Sequence, residues 1–329
     1  MRTGNLQESV LKRSVLKRIY KNKNFDKAEI INSAGIGVDC AVFSCEEKLQ
    51  AMAVGVSAWN IQDQAYFAAV EAINNLSAVA GKPTAITATL LFPQGAEEEL
   101  LKEQMKQLEI VCRDNDICLV GGHTEVTPAV KWPIVSVNAI GSVEAGFKVK
   151  NKNNPGNMDI VMTKWAGIGG TVILAKEKEE ILKNRFPDFL VNEAQSYMDY
   201  LCVSNEAKIA KDYAYLMHDI SRGGVFGALW QLGEKARVGM DIDLRSIPLK
   251  QFSVEICEEL SLNPYELLGT GSLLVITDNG EALVEELLNN NIQATIIGRT
   301  NDSNDRILYN EEERRYLEPP KSDQLYANI

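Results

Sequence analysis

Strand-like and helix-like segments alternate along this chain, and that alternation restricts the fold more than any other feature. In the first half, short apolar runs predict strands at 40–44, 50–57, 84–92 and 134–143. The stretches between them predict helices at 62–80 and 97–114. The run ICLVGGHTEV predicts a further short strand that leads into a glycine loop. The first half therefore predicts one α/β unit.

A polar segment separates this unit from a second one. The segment FKVKNKNNPGNMD (147–159) carries Pro155 and Gly156, which are typical of a linker. After it, strands are predicted for DIVMT and at 240–244, 272–277 and 294–299, with helices at 192–213, 222–237 and 280–291. We therefore predict two domains, 1–150 and 151–329. We expect the last residues, EPPKSDQLYANI, to be poorly ordered.

Composition excludes several classes of function. The chain has 329 residues, 45% of them hydrophobic, which is enough to form two cores. Its net charge of -11 argues against nucleic-acid binding. Its amino terminus is polar and no apolar run approaches the roughly 20 residues that span a bilayer, so we expect a cytoplasmic protein without a signal peptide or membrane partner. Six cysteines without a CxxC pair, and only two histidines, predict reduced thiols and argue against a zinc site.

Three glycine-containing motifs carry the chemistry that the sequence offers. They are GIGVDCAV (35–42), GGHTE (121–125) and HDISRGG (218–224). N–H groups at glycine turns and helix starts can bind phosphate oxygens, and carboxylates in such turns are typical Mg²⁺ ligands. Each motif also has a structural interpretation, because Gly-Gly is common in turns and Asp219 with Ser221 can cap the following helix. Neither a Walker loop nor a GxGxxG fingerprint is present.

In this order, the motifs resemble those of the aminoimidazole-ribonucleotide (AIR) synthase superfamily. That superfamily includes the hydrogenase-maturation protein HypE, thiamine-monophosphate kinase and selenophosphate synthetase. The similar stretches are GVDCAV (37–42), NNLSAVAGKP (74–83), GGHTEVTP (121–128) and DISRGGVFGAL (219–229). Two others resemble HypE-like proteins in particular, VMTKWAGIGGTVILA (161–175) and YELLGTGSLLV (265–275).

This resemblance implies an α/β (α+β), PurM-like fold of two domains, with the N-terminal domains forming a barrel across a homodimer. It implies that ATP and Mg²⁺ bind between the domains and that a phosphoryl group passes to a small molecule or a protein-borne group. The positions matching nucleotide-binding residues are Asp39, Gly121, Gly122, His123, Thr124, Arg222, Gly223 and Gly224. Those matching metal-binding residues are Asp39, Asp219 and Asn75. It assigns no catalytic residue and adds a maturation partner protein as an expectation.

The chain departs from the family pattern at several points. Where the family has Asn-Asp it has Asn74-Asn75, and Ser57 or Ala58 stands where a strand normally ends in aspartate. Mg²⁺ affinity falls as ligand charge is removed, so a second hypothesis is a degraded relative that acts as a binding or maturation scaffold. The sequence ends in Ile329 rather than the terminal cysteine of HypE, so we expect no carbamoyl transfer to such a thiol.

Four further features have competing interpretations. His123 is either a residue that fixes the backbone or an acid–base group, and Glu125 is a candidate replacement metal ligand. Cys40 is interpreted as a small buried residue rather than a thiol acceptor. Trp59 and Trp165 either line a ligand cleft or belong to the core. The segment LQESVLKRSVLKRIY predicts a surface helix, or an arm to a nucleotide or partner subunit, with Leu6, Val10, Leu11, Val15 and Ile19 on one face.

Overall fold

The computed structural model describes residues 6–21, 30–45, 48–144, 156–319 and 321–329. Contacts divide the chain into two compact units, each with its own sheet. The smaller unit contains 30–33, 39–45 and 48–144, and the larger contains 6–21, 34–38, 156–319 and 321–328. The predicted α/β class with two sheet-containing domains is confirmed, whereas most of the segment 147–159 lies outside the described residues. Among the helices described, none has the length and apolar character needed to cross a bilayer.

The N-terminal arm, residues 6–21, packs within the larger unit. It consists of α1 (Glu8–Val10), a π-helix (Leu11–Leu16) and α2 (Lys17–Tyr20). The predicted apolar stripe is wrong at Leu6 and Val15, which are exposed, and Leu16 is buried instead. The other members of the stripe, Val10, Leu11 and Ile19, are partly buried. A π-helix has more residues per turn than an α-helix, so it shifts which side chains face inward. Glu8 accepts a hydrogen bond from Trp230 Nε1 at 3.2 Å, which fits the interpretation of a surface helix packed on its own chain.

The smaller unit is a six-stranded sheet with two helices. The strands are β1 (Ile30–Asn32), β2 (Ala41–Cys45), β3 (Lys48–Ser57), β4 (Gly81–Phe92), β5 (Cys118–Val126) and β6 (Ile134–Val143). The helices are α3 (Gln64–Ser77) and α4 (Glu98–Asp114). The strand order is β1-β2-β3-β6-β4-β5, with β5 parallel to β4 and the other pairs antiparallel. Strand β5 is therefore an edge strand.

Alternating burial shows which face of this sheet carries the helices. On β3, Ala51, Ala53 and Ser57 are buried, whereas Met52 and Val54 are exposed. Gly55 lies on the buried side, where any Cβ would overlap the carbonyl oxygen of Ala68 in α3. The helix therefore approaches the strand at backbone distance on that face, and the opposite face of β3 is left open.

The larger unit contains a seven-stranded sheet and most of the helices. Its strands are β7 (Asp159–Thr163), β8 (Ala214–Ile220), β9 (Gly239–Asp243), β10 (Ser272–Thr277), β11 (Ala294–Asn301), β12 (Arg306–Asn310) and β13 (Glu313–Tyr316). The helices are α5 (Ile168–Glu177), α6 (Glu179–Arg185), α7 (Asp188–Ser196), α8 (Ser204–Ala210), α9 (Gly224–Ala236), α10 (Gln251–Glu259) and α11 (Gly280–Asn289). The strand order is β13-β12-β9-β11-β7-β10-β8.

The core of the larger unit lies against the central strands. All six residues of β10 are buried, which is typical of a strand covered on both faces. One face packs against α9 through a cluster that includes Met162, Leu229 and Leu274. This packing fixes α9, and with it the SRGG segment that precedes the helix, relative to the sheet.

The structure corrects three predictions of local structure. The GGHT glycines lie inside strand β5 rather than in a loop, and His218 and Asp219 lie in strand β8. The helix predicted at 192–213 is divided into α7, a 3₁₀ turn at Tyr197–Tyr200, and α8. The tail is ordered where it is described, since Asp323 and Leu325 are buried beside a 3₁₀ turn at Gln324–Ala327.

Candidate functional site

Strand β3 of the smaller unit lies beside two of the predicted metal-binding residues, Asp39 and Asn75. Asp39 is partly buried and lies two residues before Ala41, which pairs with Met52 of β3. The side-chain amide of Asn75, in α3, donates to the carbonyl oxygen of Val54 at 3.3 Å. Because that bond uses the amide nitrogen, the oxygen Oδ1 is the atom of Asn75 suited to hold a cation. The arrangement offers one carboxylate and one amide oxygen as metal ligands.

The structure separates the two alternatives for the missing strand aspartate. Ser57 is fully buried, so a carboxylate in its place would be removed from water at a high cost. Ala58 is exposed, and its carbonyl oxygen accepts a hydrogen bond from Trp132 Nε1 at 2.9 Å. Ala58 is therefore the position at which a carboxylate would remain solvated and available to a metal ion.

The GGHT segment has two glycines with different roles. A Cβ at Gly122 would overlap the carbonyl oxygen of Ala88, so the absence of a side chain is required by the pairing of β4 with β5. A Cβ at Gly121 would meet no atom within 4 Å, so its backbone is open to a ligand or to another chain. Gly121 is thus the better candidate for a backbone contact with phosphate.

His123 and Glu125 point to the same side of β5 and contact each other. His123 Nε2 lies 3.1 Å from Glu125 Oε2, and both side chains are exposed. Thr124 is exposed as well. Within the described part of the chain, no group of three or more His, Cys, Asp or Glu is arranged to hold a metal ion. Glu125 as a replacement metal ligand therefore stays a prediction.

Within one copy of the smaller unit, the GGHT segment does not lie beside Asp39. In the sheet order, β6 and β4 separate β3 from β5. Three strand spacings correspond to about 14 Å along the sheet, and β2 is one spacing further away. The sheet therefore places the two groups of predicted site residues near opposite edges.

The remaining predicted residues surround the start of α9 in the larger unit. Asp219 is buried in β8, and neighbouring His218 Nε2 lies 3.0 Å from Gln231 Oε1 of α9. The helix begins after Gly223, whose φ is +85°, and in the described residues it has no side-chain cap, so Ser221 is not its cap. At Gly224, a Cβ would overlap the carbonyl oxygen of Tyr265. This glycine is required by close packing against the turn that precedes β10.

Asp323, in the C-terminal tail, binds this same helix start. Its Oδ2 accepts from the backbone N–H of Gly223 at 2.7 Å, and its Oδ1 accepts from Leu268 at 3.3 Å and Leu325 at 2.9 Å. Burial raises the pKa of Asp323 to about 6, although these N–H groups and Arg222 favour the carboxylate. Sequence reasoning missed this residue, because two of its partners lie 55 and 100 residues away. Its one local signal is an aspartate that caps the 3₁₀ turn by accepting from the N–H of Leu325.

The predicted cysteine and tryptophan residues lie in or near the cores of the two units. Cys40 is buried, with its Sγ 3.2 Å from the carbonyl oxygen of Met52, so the prediction of a compact buried residue is confirmed. Trp59 is buried as well, as expected of a core aromatic. Trp165 contacts Tyr200 edge to face and lies under the ammonium of Lys250, 4.0 Å from its ring centroid.

Two family models match this chain, one in each half. The model described as AIR synthase related protein, N-terminal domain, matches residues 37–143. The model described as AIR synthase related protein, C-terminal domain, matches residues 155–310. The match therefore ends before β13 and the tail that carries Asp323.

Curated relatives include proteins of hydrogenase maturation. A putative hydrogenase expression/formation protein of Methanocaldococcus jannaschii is 25% identical over 210 residues, covering 64% of this chain and 61% of that protein. Carbamoyl dehydratase HypE of Rhodobacter capsulatus is 24% identical over 213 residues, covering 64% of this chain and 60% of that protein. The chain thus matches about three fifths of the length of these relatives.

Solved structures share the fold over nearly the whole chain. HypE in a HypE–HypF complex superposes with a TM-score of 0.75 at 20% identity, covering 94% of this chain and 99% of that one. HypE in complex with ATP gives 0.72 at 15% identity, covering 98% and 97%. ThiL complexed with AMPPCP and TMP gives 0.71 at 18% identity, covering 95% and 98%. The predicted PurM-like fold is confirmed.

Proposed function

Because the chain belongs to the family of AIR synthase related proteins, we propose that it binds ATP with Mg²⁺ and transfers a phosphoryl group to a small molecule or a protein-borne group. The observation that carries this proposal is the retained carboxylate of Asp39 beside β3, with Asn75 on the same stretch. A carboxylate and an amide oxygen are hard ligands of the kind that Mg²⁺ prefers. The ATP complex of HypE supports a nucleotide as the ligand.

The chemistry expected of these residues is positioning and charge neutralisation. Phosphoryl transfer spreads negative charge over the transferred group, and Mg²⁺ would neutralise part of it. In the smaller unit, Asp39 and Asn75 would hold the metal ion, and Gly121 and Thr124 would donate N–H and O–H groups to phosphate oxygens. In the larger unit, Asp219 is the candidate metal ligand, and Arg222 with Gly223 and Gly224 is the candidate phosphate-binding segment.

We expect Asp39→Ala to weaken Mg²⁺-dependent ATP binding at least tenfold, because the variant removes the only carboxylate among the proposed metal ligands near β3. Calorimetric titration with ATP, with and without Mg²⁺, measures this effect. Asp278→Ala, at an exposed turn before α11, is the matched control and should bind as the wild type does. A wild type that binds no ATP at millimolar concentration would contradict the proposal and leave the scaffold hypothesis.

We further infer that the protein is a homodimer whose smaller units pair through their sheets. The open face of the sheet carries apolar side chains, with Met52 44% and Val54 49% exposed and Ile140 beside them on β6. Edge strand β5 exposes Val120 and Val126. In a barrel of two such sheets, β5 of each copy would adjoin the β1–β2 edge of the other. That pairing would bring GGHT of one copy towards Asp39 of its partner and resolve their separation within one sheet.

A lysine in place of Val54 should convert the dimer to a monomer, because it buries an unpaired charge in the proposed interface. Sedimentation equilibrium of Val54→Lys measures the change in mass. Leu288→Lys, at an exposed apolar position of α11, is the matched control and should sediment as the wild type does. A wild-type monomer, or a Val54→Lys protein with the mass of a dimer, would refute this dimer.

The scaffold hypothesis remains the second candidate, and specific residues favour it. Asn75 and Ala58 stand where two metal-binding carboxylates are expected, so the charge available to Mg²⁺ near β3 is low. The HypE–HypF complex supports a maturation partner protein for a chain of this fold. A scaffold would bind such a partner without turning over ATP, and the titrations above distinguish the two functions.

A further inference from the structure

The tail carboxylate occupies a set of backbone donors drawn from three separate segments. Gly223 at the start of α9, Leu268 in the turn before β10, and Leu325 in the tail all donate to Asp323. The Asp323 side chain belongs to a residue that is only 5% exposed, and Arg222 lies close enough to favour its charge. Gly223 and Leu268 lie outside the tail, so they form the anion-binding cradle that a competing anion would meet, whereas Leu325 belongs to the tail itself.

The backbone N–H of Gly223, which already donates to Asp323, would also have to donate to a phosphate oxygen if the nucleotide binds there. A backbone N–H makes one strong hydrogen bond, and the 2.7 Å bond from Gly223 to Asp323 Oδ2 uses it. A polyphosphate that reaches this N–H must displace a carboxylate, and two anions in one cradle repel each other. Resting on the proposed function, we propose that the C-terminal tail is an autoinhibitory strap whose Asp323 competes with the phosphates of the nucleotide at the start of α9.

Contacts outside the cradle hold the strap against the larger unit. Gln324 Nε2 donates to Glu266 Oε2 at 3.0 Å, its backbone N–H donates to the Glu266 carbonyl oxygen at 3.4 Å, and Leu325 is fully buried. Burial nevertheless disfavours the Asp323 carboxylate, as its raised pKa of about 6 indicates. Release of the tail would relieve that cost, so the strap is suited to exchange with a competing anion.

The test uses the whole protein and tripolyphosphate as the probe. In Asp323→Asn, Oδ1 can still accept from Leu268 and Leu325, while the new amide group faces the Gly223 N–H as a second donor. The variant therefore weakens the contact with Gly223 specifically. We expect it to bind tripolyphosphate about tenfold more tightly than the wild type, since one charge-assisted bond is removed from the competitor. The matched control is Asp278→Asn, at an exposed position, which should bind as the wild type does.

A second measurement does not depend on the variant. In the wild type, saturating tripolyphosphate should speed amide hydrogen exchange of residues 322–329, because the bound anion displaces the tail. If Asp323→Asn fails to fold, this experiment alone decides. Equal affinities of variant and wild type, or unchanged tail exchange at saturation, would overturn the strap and leave ATP binding intact.

Parallel titration with ATP separates the strap from the proposed function. If Asp323→Asn gains affinity for tripolyphosphate but neither protein binds ATP, the strap stands and the nucleotide function falls. If neither protein binds tripolyphosphate, the anion cradle and the phosphate-binding role of Gly223 both fall. Tighter binding of both ligands by the variant supports both proposals.

Discussion

Lys164→Met is expected to lower the free energy of unfolding by about 3–5 kcal/mol, because it leaves a buried carboxylate without its partner. Lys164 Nζ lies 2.5 Å from Glu206 Oε1, and their side chains are only 6% and 5% exposed. The same ammonium donates to the carbonyl oxygens of Tyr200 at 2.6 Å and Cys202 at 3.0 Å. Loss of these bonds takes a donor from each of the three acceptors, of which the Glu206 carboxylate is buried.

Lys164 also holds its own backbone and two neighbouring segments in place, so its loss should affect more than the ion pair. Its φ is +53°, a strained value for a residue with a side chain, so surrounding contacts must hold it there. It follows strand β7 directly and ties that strand to the segment before α8. We therefore expect the loss to appear in the unfolding of the larger unit, with the sheet of the smaller unit unaffected.

A double-mutant cycle tests whether the lost free energy of unfolding comes from the ion pair between Lys164 and Glu206. Glu206→Leu in the Lys164→Met background removes the stranded charge, so the double variant should be more stable than Lys164→Met alone. Chemical denaturation of the wild type, both single variants and the double variant gives the coupling. A Lys164→Met protein within about 1 kcal/mol of the wild type would show that the pair does not hold this segment.

The sequence predicts most elements because their patterns are local. The strands β3 and β6 alternate buried and exposed side chains, and the helices α4 and α11 have regular apolar spacing. Such periodicity reflects which face meets a core, and it can be detected without knowing the partner element. The motifs identify the family, and the family in turn predicts the fold of both units.

The sequence-based predictions that proved wrong concern an edge strand and the N-terminal arm, where pairing or local geometry decides the structure. GGHT suggests a loop because of its two glycines, yet it pairs with β4 residues more than thirty positions earlier. The pairing itself requires Gly122, which is invisible until the position of Ala88 is known. In the arm, a π-helix exchanges Val15 for Leu16 as the buried residue, and no propensity rule predicts that register.

The tail shows the same limit at the candidate site. The stretch KSDQLYANI is polar enough to suggest disorder, but Asp323 and Gln324 form hydrogen bonds with residues more than fifty positions earlier in the chain. The sequence likewise left Ser57 and Ala58 as equal candidates for the missing carboxylate. Burial of one and exposure of the other separates them, and burial depends on tertiary packing.

The double variant Ala58→Asp with Asn75→Asp is expected to bind ATP·Mg²⁺ about a hundredfold more tightly than the wild type. Opposite unit charges about 4 Å apart gain about 4 kcal/mol near a protein surface, before the cost of desolvation. If about a third of that gain survives, each added carboxylate contributes a factor of about ten. Asn75 contacts Val54 of β3, and Ala58 follows the end of the same strand, so each substitution adds a carboxylate along the strand beside which Asp39 lies.

Two control variants test this prediction, one with an uncharged side chain at position 58 and one with a carboxylate at the neighbouring buried position. Ala58→Asn adds an oxygen ligand of the same shape without charge, and it should leave the affinity close to that of the wild type. Ser57→Asp places the carboxylate at the buried neighbouring position and should destabilise the unit instead of strengthening the metal site. Calorimetry with and without Mg²⁺, together with phosphate release, gives affinity and turnover. If the double variant binds no better than Ala58→Asn, the lost carboxylates do not limit the metal site, and the scaffold hypothesis must rest on other residues.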